Sequence, residues 1–263
     1  MYDLAKFALD AGSAVPSPSE CDALCVDYAA VSSLYNQMSV RQLKRDVKRG
    51  VDAAVQSSLR EGIALADIAK RCNVGGYKLV RLYLEYRFGY GAVTLTHFLE
   101  SPTIIPDEKL RQDLLSCLAN DPFCSLPVEQ LKECIGKEYE EYLIARLQEK
   151  GLCFETEAEL RSRGKPKTPD VLFLIPMATP HCNRPSSGPV VVNWIDSKAM
   201  FADEDTLAEH FEQLRGYTNR YGRGLVIYWH GYVETITSSS LFASADDMIM
   251  ISHTFPEEWF TLN

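Results

Sequence analysis

The chain has 263 residues, 46% hydrophobic and 24% charged, with a formal net charge of −9 at pH 7. Such proportions suit a globular chain with a buried core, arranged as one large domain or two ordinary ones, and no stretch nears the roughly eighteen consecutive apolar residues of a membrane span. The negative total argues against a polyanion partner only on average. Residues 1–37 hold one Lys against five acids, net −4; residues 38–90 hold eleven Lys or Arg against five acids, net +6; residues 91–263 carry the remaining −11. Polyanion binding depends on local charge more than on the total, so the basic segment matters.

The opening Met1-Tyr2-Asp3-Leu4-Ala5-Lys6 lacks the basic-then-apolar layout of a secretory signal. Eight cysteines are scattered along the chain. Cys21 and Cys25 form a close pair, with no second pair at zinc-finger spacing. Reduced thiols at core positions are therefore expected, and with them a cytosolic or nuclear location.

Val40 to Leu59 is long, polar and proline-free, with Leu43, Val47, Val51 and Val55 four residues apart, which predicts a helix. A shorter helix, Leu65 to Cys72, runs into Asn73-Val74-Gly75-Gly76, and a second begins near Tyr77. This segment, about 63–85, resembles a helix-turn-helix whose second helix carries Lys78 and Arg81 on neighbouring surface positions. Such a hairpin serves either DNA contact or protein interaction. Pro102, Pro106, Pro122 and Pro127 punctuate further short helices, including Asp107 to Ala119. Residues 1–125 thus read as an all-helical N-terminal domain, and the boundary falls near Asp121 to Leu131.

The pattern then changes. Gln130 to Lys150 is helical, with Leu131, Ile135, Tyr139, Leu143 and Leu147 as its apolar stripe, and Gly151 stops it. Short strands are predicted at Leu152–Phe154, Val171–Ile175 and Val190–Ile195. A helix over Asp205–Tyr221 follows, ended by Gly222 and Gly224, then strands at Leu225–Trp229 and Met248–Ile251. Helix, three strands, helix, strand is an α/β order with a mixed sheet between helices, expected over residues 126–263.

Within it, Thr168-Pro169-Asp170 puts a carboxylate at the start of one apolar run, and Asp196-Ser197-Lys198 ends another. Side chains two apart on a strand share a face, so Asp196 and Lys198 face one site. Two carboxylates and an ammonium are what a divalent-metal site for phosphodiester hydrolysis needs. Hard cations such as Mg²⁺ or Mn²⁺ take carboxylate and carbonyl oxygens, here Asp170, Asp196 and the carbonyl of Ser197. Lys198 is placed to orient or deprotonate the attacking water, or to stabilise developing phosphate charge. The pattern Pro-Asp, then Asp or Glu, any residue, Lys resembles the PD-(D/E)XK nuclease superfamily, whose first helix often adds an acid; Glu140 occupies that place. Gln213-Leu214-Arg215-Gly216-Tyr217 resembles the Gln-x-x-x-Tyr extension of RecB-type nucleases. Arg161, Arg163, Lys165 and Lys167, every second residue, suit either phosphate contact or a solvated loop paired with Glu157 and Glu159. His181, His210 and His230 lack metal-ligand spacing and read as structural or surface residues.

The blocks Gly136-Lys137-Glu138-Tyr139-Glu140, Glu159-Leu160-Arg161, Lys167-Thr168-Pro169-Asp170, Trp194-Ile195-Asp196-Ser197-Lys198-Ala199 and Gly222 to Trp229 together resemble the codanin-1-interacting nuclease family. The resemblance is dense over residues 130–235 and looser before them. It implies a restriction-endonuclease-like PD-(D/E)XK core and a metal-dependent nuclease that acts on nucleic acid with a codanin-1-type partner. It also implies site roles for Asp170, Asp196, Lys198 and Glu140. Asp196 stands where that family often has Glu, a longer side chain. The rival expectation is a scaffold that recruits codanin through a nuclease-like fold without cutting.

Overall fold

A computed structural model describes residues 5, 15–72, 76–121, 126–182, 188–234, 236 and 248–261. The chain divides into two compact units. One gathers Val15–Leu34 with Cys134–Asn263, the other holds Tyr35–Glu133.

Helices α1 (Pro18–Ala23) and α2 (Tyr28–Arg60) come first. The predicted stripe Leu43, Val47, Val51 and Val55 falls on side chains outside the described residues. The helices expected at Leu65 to Cys72 and from near Tyr77 are present as α3 (Leu65–Cys72) and α4 (Gly76–Phe88); Asn73, Val74 and Gly75 between them lie outside the described residues. They are followed by α5 (Ala92–Glu100), a 3₁₀ turn at Pro102–Ile104 and α6 (Glu108–Ala119). Asp107 starts α6 as its N-cap, accepting the Leu110 N–H. Leu65, Ile68, Leu79, Leu84, Leu95, Leu114 and Cys117 form the core of this unit. Both oxygens of Asp113 accept the Leu65 N–H, at 3.1 and 3.0 Å, and Asp121 Oδ2 accepts the Tyr77 N–H at 2.8 Å. Two helix starts are thus capped from another part of the chain, satisfying donors that a helix leaves open.

The second unit is mixed α/β. Helix α7 (Leu126–Glu149) precedes β1 (Phe154–Thr156), α8 (Glu157–Ser162), β2 (Val171–Pro180), β3 (Pro189–Lys198), α9 (Glu204–Tyr221), β4 (Gly224–Tyr228), β5 (Ile249–Ser252) and β6 (Phe260–Thr261). The six strands form one sheet in the order β1-β2-β3-β4-β5, with β6 on β2. β1, β2 and β3 pair antiparallel, as do β2 and β6, whereas β3, β4 and β5 run parallel. The mixed sheet flanked by helices matches the expectation from the element order.

Alternation along the strands divides two cores. On one face Ile195, Leu225, Ile227, Val171 and Phe173 pack with Leu143 and Leu147 of α7. On the other, Trp194, Val226, Tyr228 and Ile251 pack with Leu207, Leu214 and Tyr217 of α9. Of the predicted α7 stripe, Leu143 and Leu147 are fully buried while Leu131 is exposed. The α9 face is tightest at β4, where a Cβ on Gly224 would come 2.0 Å from the Trp194 indole. That ring is pinned, since Trp194 Nε1 donates to the Gly222 carbonyl at 2.8 Å.

Three strand readings needed correction. The first strand lies at Phe154–Thr156 rather than Leu152–Phe154. β2 and β3 extend to Pro180 and Lys198, beyond the apolar runs that announced them. In β2 the register against β3 shifts between Leu172 and Met177, and Leu174 and Ile175 there are exposed. A bulge accommodates Pro176, which has no N–H to give a ladder.

Candidate active site

The site is built where β2 begins and β3 ends. Val171 pairs with Ile195 in the antiparallel ladder, so Asp170, one residue before β2, comes beside Asp196. The N–H of Ser197 lies past the first residue of β2, and the Asp170 carboxylate takes it in place of a backbone carbonyl, Oδ2 accepting at 2.6 Å. Along β3 the period of two turns Asp196 and Lys198 to the α9 face with Trp194, and Ser197 to the other. Ser197 Oγ indeed accepts from Trp229 Nε1 at 2.8 Å, among the residues packed with α7. The Trp229 N–H donates to the Lys198 carbonyl at 3.0 Å, fixing the end of β3.

Asp196 is 1% exposed and its Oδ2 lies 2.7 Å from Lys198 Nζ. The pair is poorly directed, because Asp196 Oδ2 is buried without a well-aligned hydrogen-bond donor. We take the contact as an ion pair of incomplete geometry. Burial raises the Asp170 carboxyl well above its ordinary pKa and Asp196 raises it further, against the Ser197 N–H and Lys198. Burial also raises Asp196, with Lys198 opposing. For Lys198, burial acts downward, but Asp196, then Asp170 and Glu140, outweigh it, and its pKa ends raised. Two like charges are therefore crowded into a dry place, with one cation set against Asp196.

A hard divalent cation fits this donor set. It would relieve the repulsion of Asp170 and Asp196. Among the described residues no group of three or more His, Cys, Asp or Glu stands together as a metal cluster. The two aspartates, with a backbone carbonyl such as that of Ser197, are the available oxygens. Glu140 on α7 is half-buried and within electrostatic reach: burial, then Glu157 and Asp196, raise its carboxyl, while Lys198 lowers it.

Beside these residues opens a cleft of about 450 Å³ lined by Glu157, Arg161, Lys165, Lys167, Thr168, Glu212, Gln213 and Tyr217. Arg161, Lys165, Lys167, Gln213 and Tyr217, all singled out in the sequence, meet here. Gln213 Nε2 donates to Tyr217 Oη at 2.7 Å, and the Tyr217 ring stands edge-on to Trp194. Burial, then Asp196, raises the Tyr217 phenol, so it keeps its proton.

The alternating basic run is not an extended strip. Thr156-Glu157-Ala158-Glu159 is a capping box, so α8 occupies Glu157–Ser162 and Glu159 turns back to bond Thr156. Arg161 pairs with Glu157 at 2.7 Å, and Arg163 turns to Glu155 instead of the cleft. Glu157, which the sequence suggested only as a partner of the basic run, also binds the site loop. Its carboxylate accepts from Thr168 Oγ1 at 3.1 Å and its N–H donates to the Asp170 carbonyl at 3.0 Å. No local signal announces that link, which joins residues 11 and 13 apart.

The remaining residues of interest lie elsewhere. Arg81 is half-buried on α4, and the side chain of Lys78 lies outside the described residues. His210 Nδ1 meets Tyr228 Oη at 3.0 Å, and His230 packs edge-on to Tyr139, consistent with structural roles.

A family model described as a protein of unknown function with the TPD sequence motif matches residues 106–255, a span that includes Thr168-Pro169-Asp170. Relatives described as CDAN1-interacting nuclease 1 are similar to this chain. That of Xenopus laevis is 37% identical over 164 residues, covering 62% of this chain and 50% of the relative. The Homo sapiens relative is 30% identical over 252 residues, 89% of this chain and 85% of the relative. The Danio rerio relative is 34% identical over 165 residues, 62% and 51% respectively. The chain thus spans about half the length of the frog and fish relatives. No solved structure matches it.

Proposed function

This chain belongs to the CDAN1-interacting nuclease family, and from that premise we propose that it is a metal-dependent nuclease with a PD-(D/E)XK core. The observation that carries the reading is the meeting of Asp170, Asp196 and Lys198 at the start of β2 and the end of β3, with the Ser197 N–H holding Asp170. In this reading Asp170, Asp196 and the Ser197 carbonyl hold Mg²⁺ or Mn²⁺, with Glu140 as an outer acid. The bound cation would lower the pKa of water and stabilise charge on a reacting phosphodiester.

The protein's own side chains do the rest. Ser197 keeps Asp170 in one orientation through its N–H. Lys198 remains an ammonium 2.7 Å from Asp196, where it balances buried charge and meets a developing phosphate oxyanion. Arg161, Lys167, Gln213 and Tyr217 receive the nucleic-acid strand in the adjoining cleft. The relatives' name supports a codanin-type partner for this chain as well.

Asp170→Ala and Lys198→Ala should each lower Mg²⁺-dependent cleavage of labelled oligonucleotides by about 10³-fold or more, with circular dichroism unchanged. Metal-dependent cleavage retained by both variants would sink the assignment. Alanine variants that still bind the partner and restore cellular function would favour the scaffold reading, which needs no buried pair of carboxylates.

A further inference from the structure

Lys167 stands directly before Thr168-Pro169-Asp170, with a backbone φ of 55°. This is the left-handed region, which a lysine adopts only where its surroundings enforce it. The enforcement is visible on α9. Arg220 donates to the Pro166 carbonyl, holding the loop against the helix. Four residues earlier on the same helical face, Gly216 leaves a gap that the Lys167 side chain fills. A Cβ on Gly216 would lie 3.0 Å from both Cδ and Nζ of Lys167. The ammonium is thereby laid on α9 beside Gln213 and Tyr217, which line the same cleft.

The three cations of the cleft are not equivalent. Arg161 is engaged by Glu157 at 2.7 Å. Lys165 and Lys167 have no carboxylate partner among the described residues, and Lys167 alone is seated by both its backbone and a helix. An unneutralised ammonium pre-positioned on the cleft wall, three residues before the candidate catalytic aspartate in the chain, is suited to an oxyanion. A phosphate is the fitting partner, since the lining of the cleft offers no open aromatic face on which a base would stack, the Tyr217 ring being buried.

We propose that Lys167 binds a phosphate of the nucleic-acid strand next to the cleavage site, and that Gly216 is the positioning residue that seats its ammonium. The inference rests on the nuclease reading above for the identity of the strand. Gly216 acts only through Lys167, which gives the pair a distinctive signature.

The test is fluorescence anisotropy of the full chain with labelled single-stranded DNA and RNA oligonucleotides across a salt series, with EDTA present so that nothing is cut. Lys167→Gln should weaken binding about tenfold and reduce the steepness of log K against log salt by about 0.7, one phosphate's share for a single strand. Gly216→Leu, a change that favours the helix, should give the same loss by displacing the lysine tail. Combining the two should add nothing to Lys167→Gln alone. Lys167→Gly should lose the same slope while raising the melting temperature, because glycine accepts a positive φ freely. An unchanged slope with Lys167→Gln, a further loss when Gly216→Leu is added to it, or no salt-dependent binding by the intact chain overturns the proposal. Cleavage is scored separately with Mg²⁺. If the intact chain cuts but Lys167→Gln leaves the slope unchanged, this inference fails and the nuclease reading stands. If Lys167-dependent binding persists in a chain that cuts nothing, the reverse holds.

Discussion

In the helical unit Asp113 and Asp121, on and just after α6, accept the N–H groups of Leu65 and Tyr77 and so complete the starts of α3 and α4. In the sheet unit Asp170 and Asp196 are also buried or nearly so, but they face each other's charge. Asp170 has one backbone donor, and Asp196 has a lysine at 2.7 Å that leaves its Oδ2 without an aligned hydrogen bond. The side chain is the same and the balance differs. A cap finds its charge compensated by the fold, whereas the β2–β3 pair is under-compensated and suits a cation from outside. Substitutions in both units probe that contrast.

The largest effects should come from glycines that let backbone and ring approach closely in each unit. A Cβ on Gly76 would lie 2.1 Å from the Cys117 carbonyl oxygen, and one on Gly224 would lie 2.0 Å from the Trp194 ring. Alanine at either position should cost about 3 kcal/mol, because neither a helix carbonyl nor a pinned indole can retreat cheaply. Chemical denaturation measures it. Gly224→Ala should also depress cleavage, since Trp194 lies two residues before Asp196, whereas Gly76→Ala should act on stability alone. Equal losses of specific activity in both variants, measured on protein verified as folded, would break the separation between scaffold and site.

Next in size is the cap. Asp121→Ala strands the part-buried Tyr77 N–H and should cost about 1–3 kcal/mol in denaturant melts. Asp121→Asn, which keeps an acceptor, should recover most of it. A stability change within error for Asp121→Ala would remove the structural half of the comparison.

What the sequence made legible was whatever depends on neighbours. The period of two put Asp196 and Lys198 on one face, the helix stripe found Leu143 and Leu147, and Asp107 marked the start of α6. The residues that escaped it depend on separation. Asp113 and Asp121 cap helices 48 and 44 residues away, and the Glu157–Thr168 link joins residues 11 apart across α8 and the loop after it. The basic run suits either phosphate contact or a solvated loop by its spacing, and the capping box at Thr156 puts only its first member, Arg161, on a helix, where it pairs with Glu157. The seating of Lys167 on Gly216 joins residues 49 positions apart, and no propensity predicts a lysine at positive φ.

The smallest effect bears most directly on the contrast. Asp170→Asn retains an oxygen for the Ser197 N–H while removing one of two crowded charges. It should stabilise the metal-free chain by about 1 kcal/mol at neutral pH, the usual gain when a functional strain is relieved. The sign follows from the raised pKa of Asp170. A carboxyl that holds its proton more tightly in the folded chain contributes most to stability below the unfolded value of about 3.9. That contribution is lost as pH rises through the raised folded value. The advantage of Asn should therefore grow with pH in thermal melts and vanish in acid. Added Mg²⁺ should reverse the order, raising the melting temperature of the intact chain by mass action while leaving Asp170→Asn nearly unmoved. If Asn instead destabilises the metal-free chain at neutral pH, Asp170 is a structural cap of the Ser197 N–H, of one kind with Asp121, and the two units use their aspartates alike.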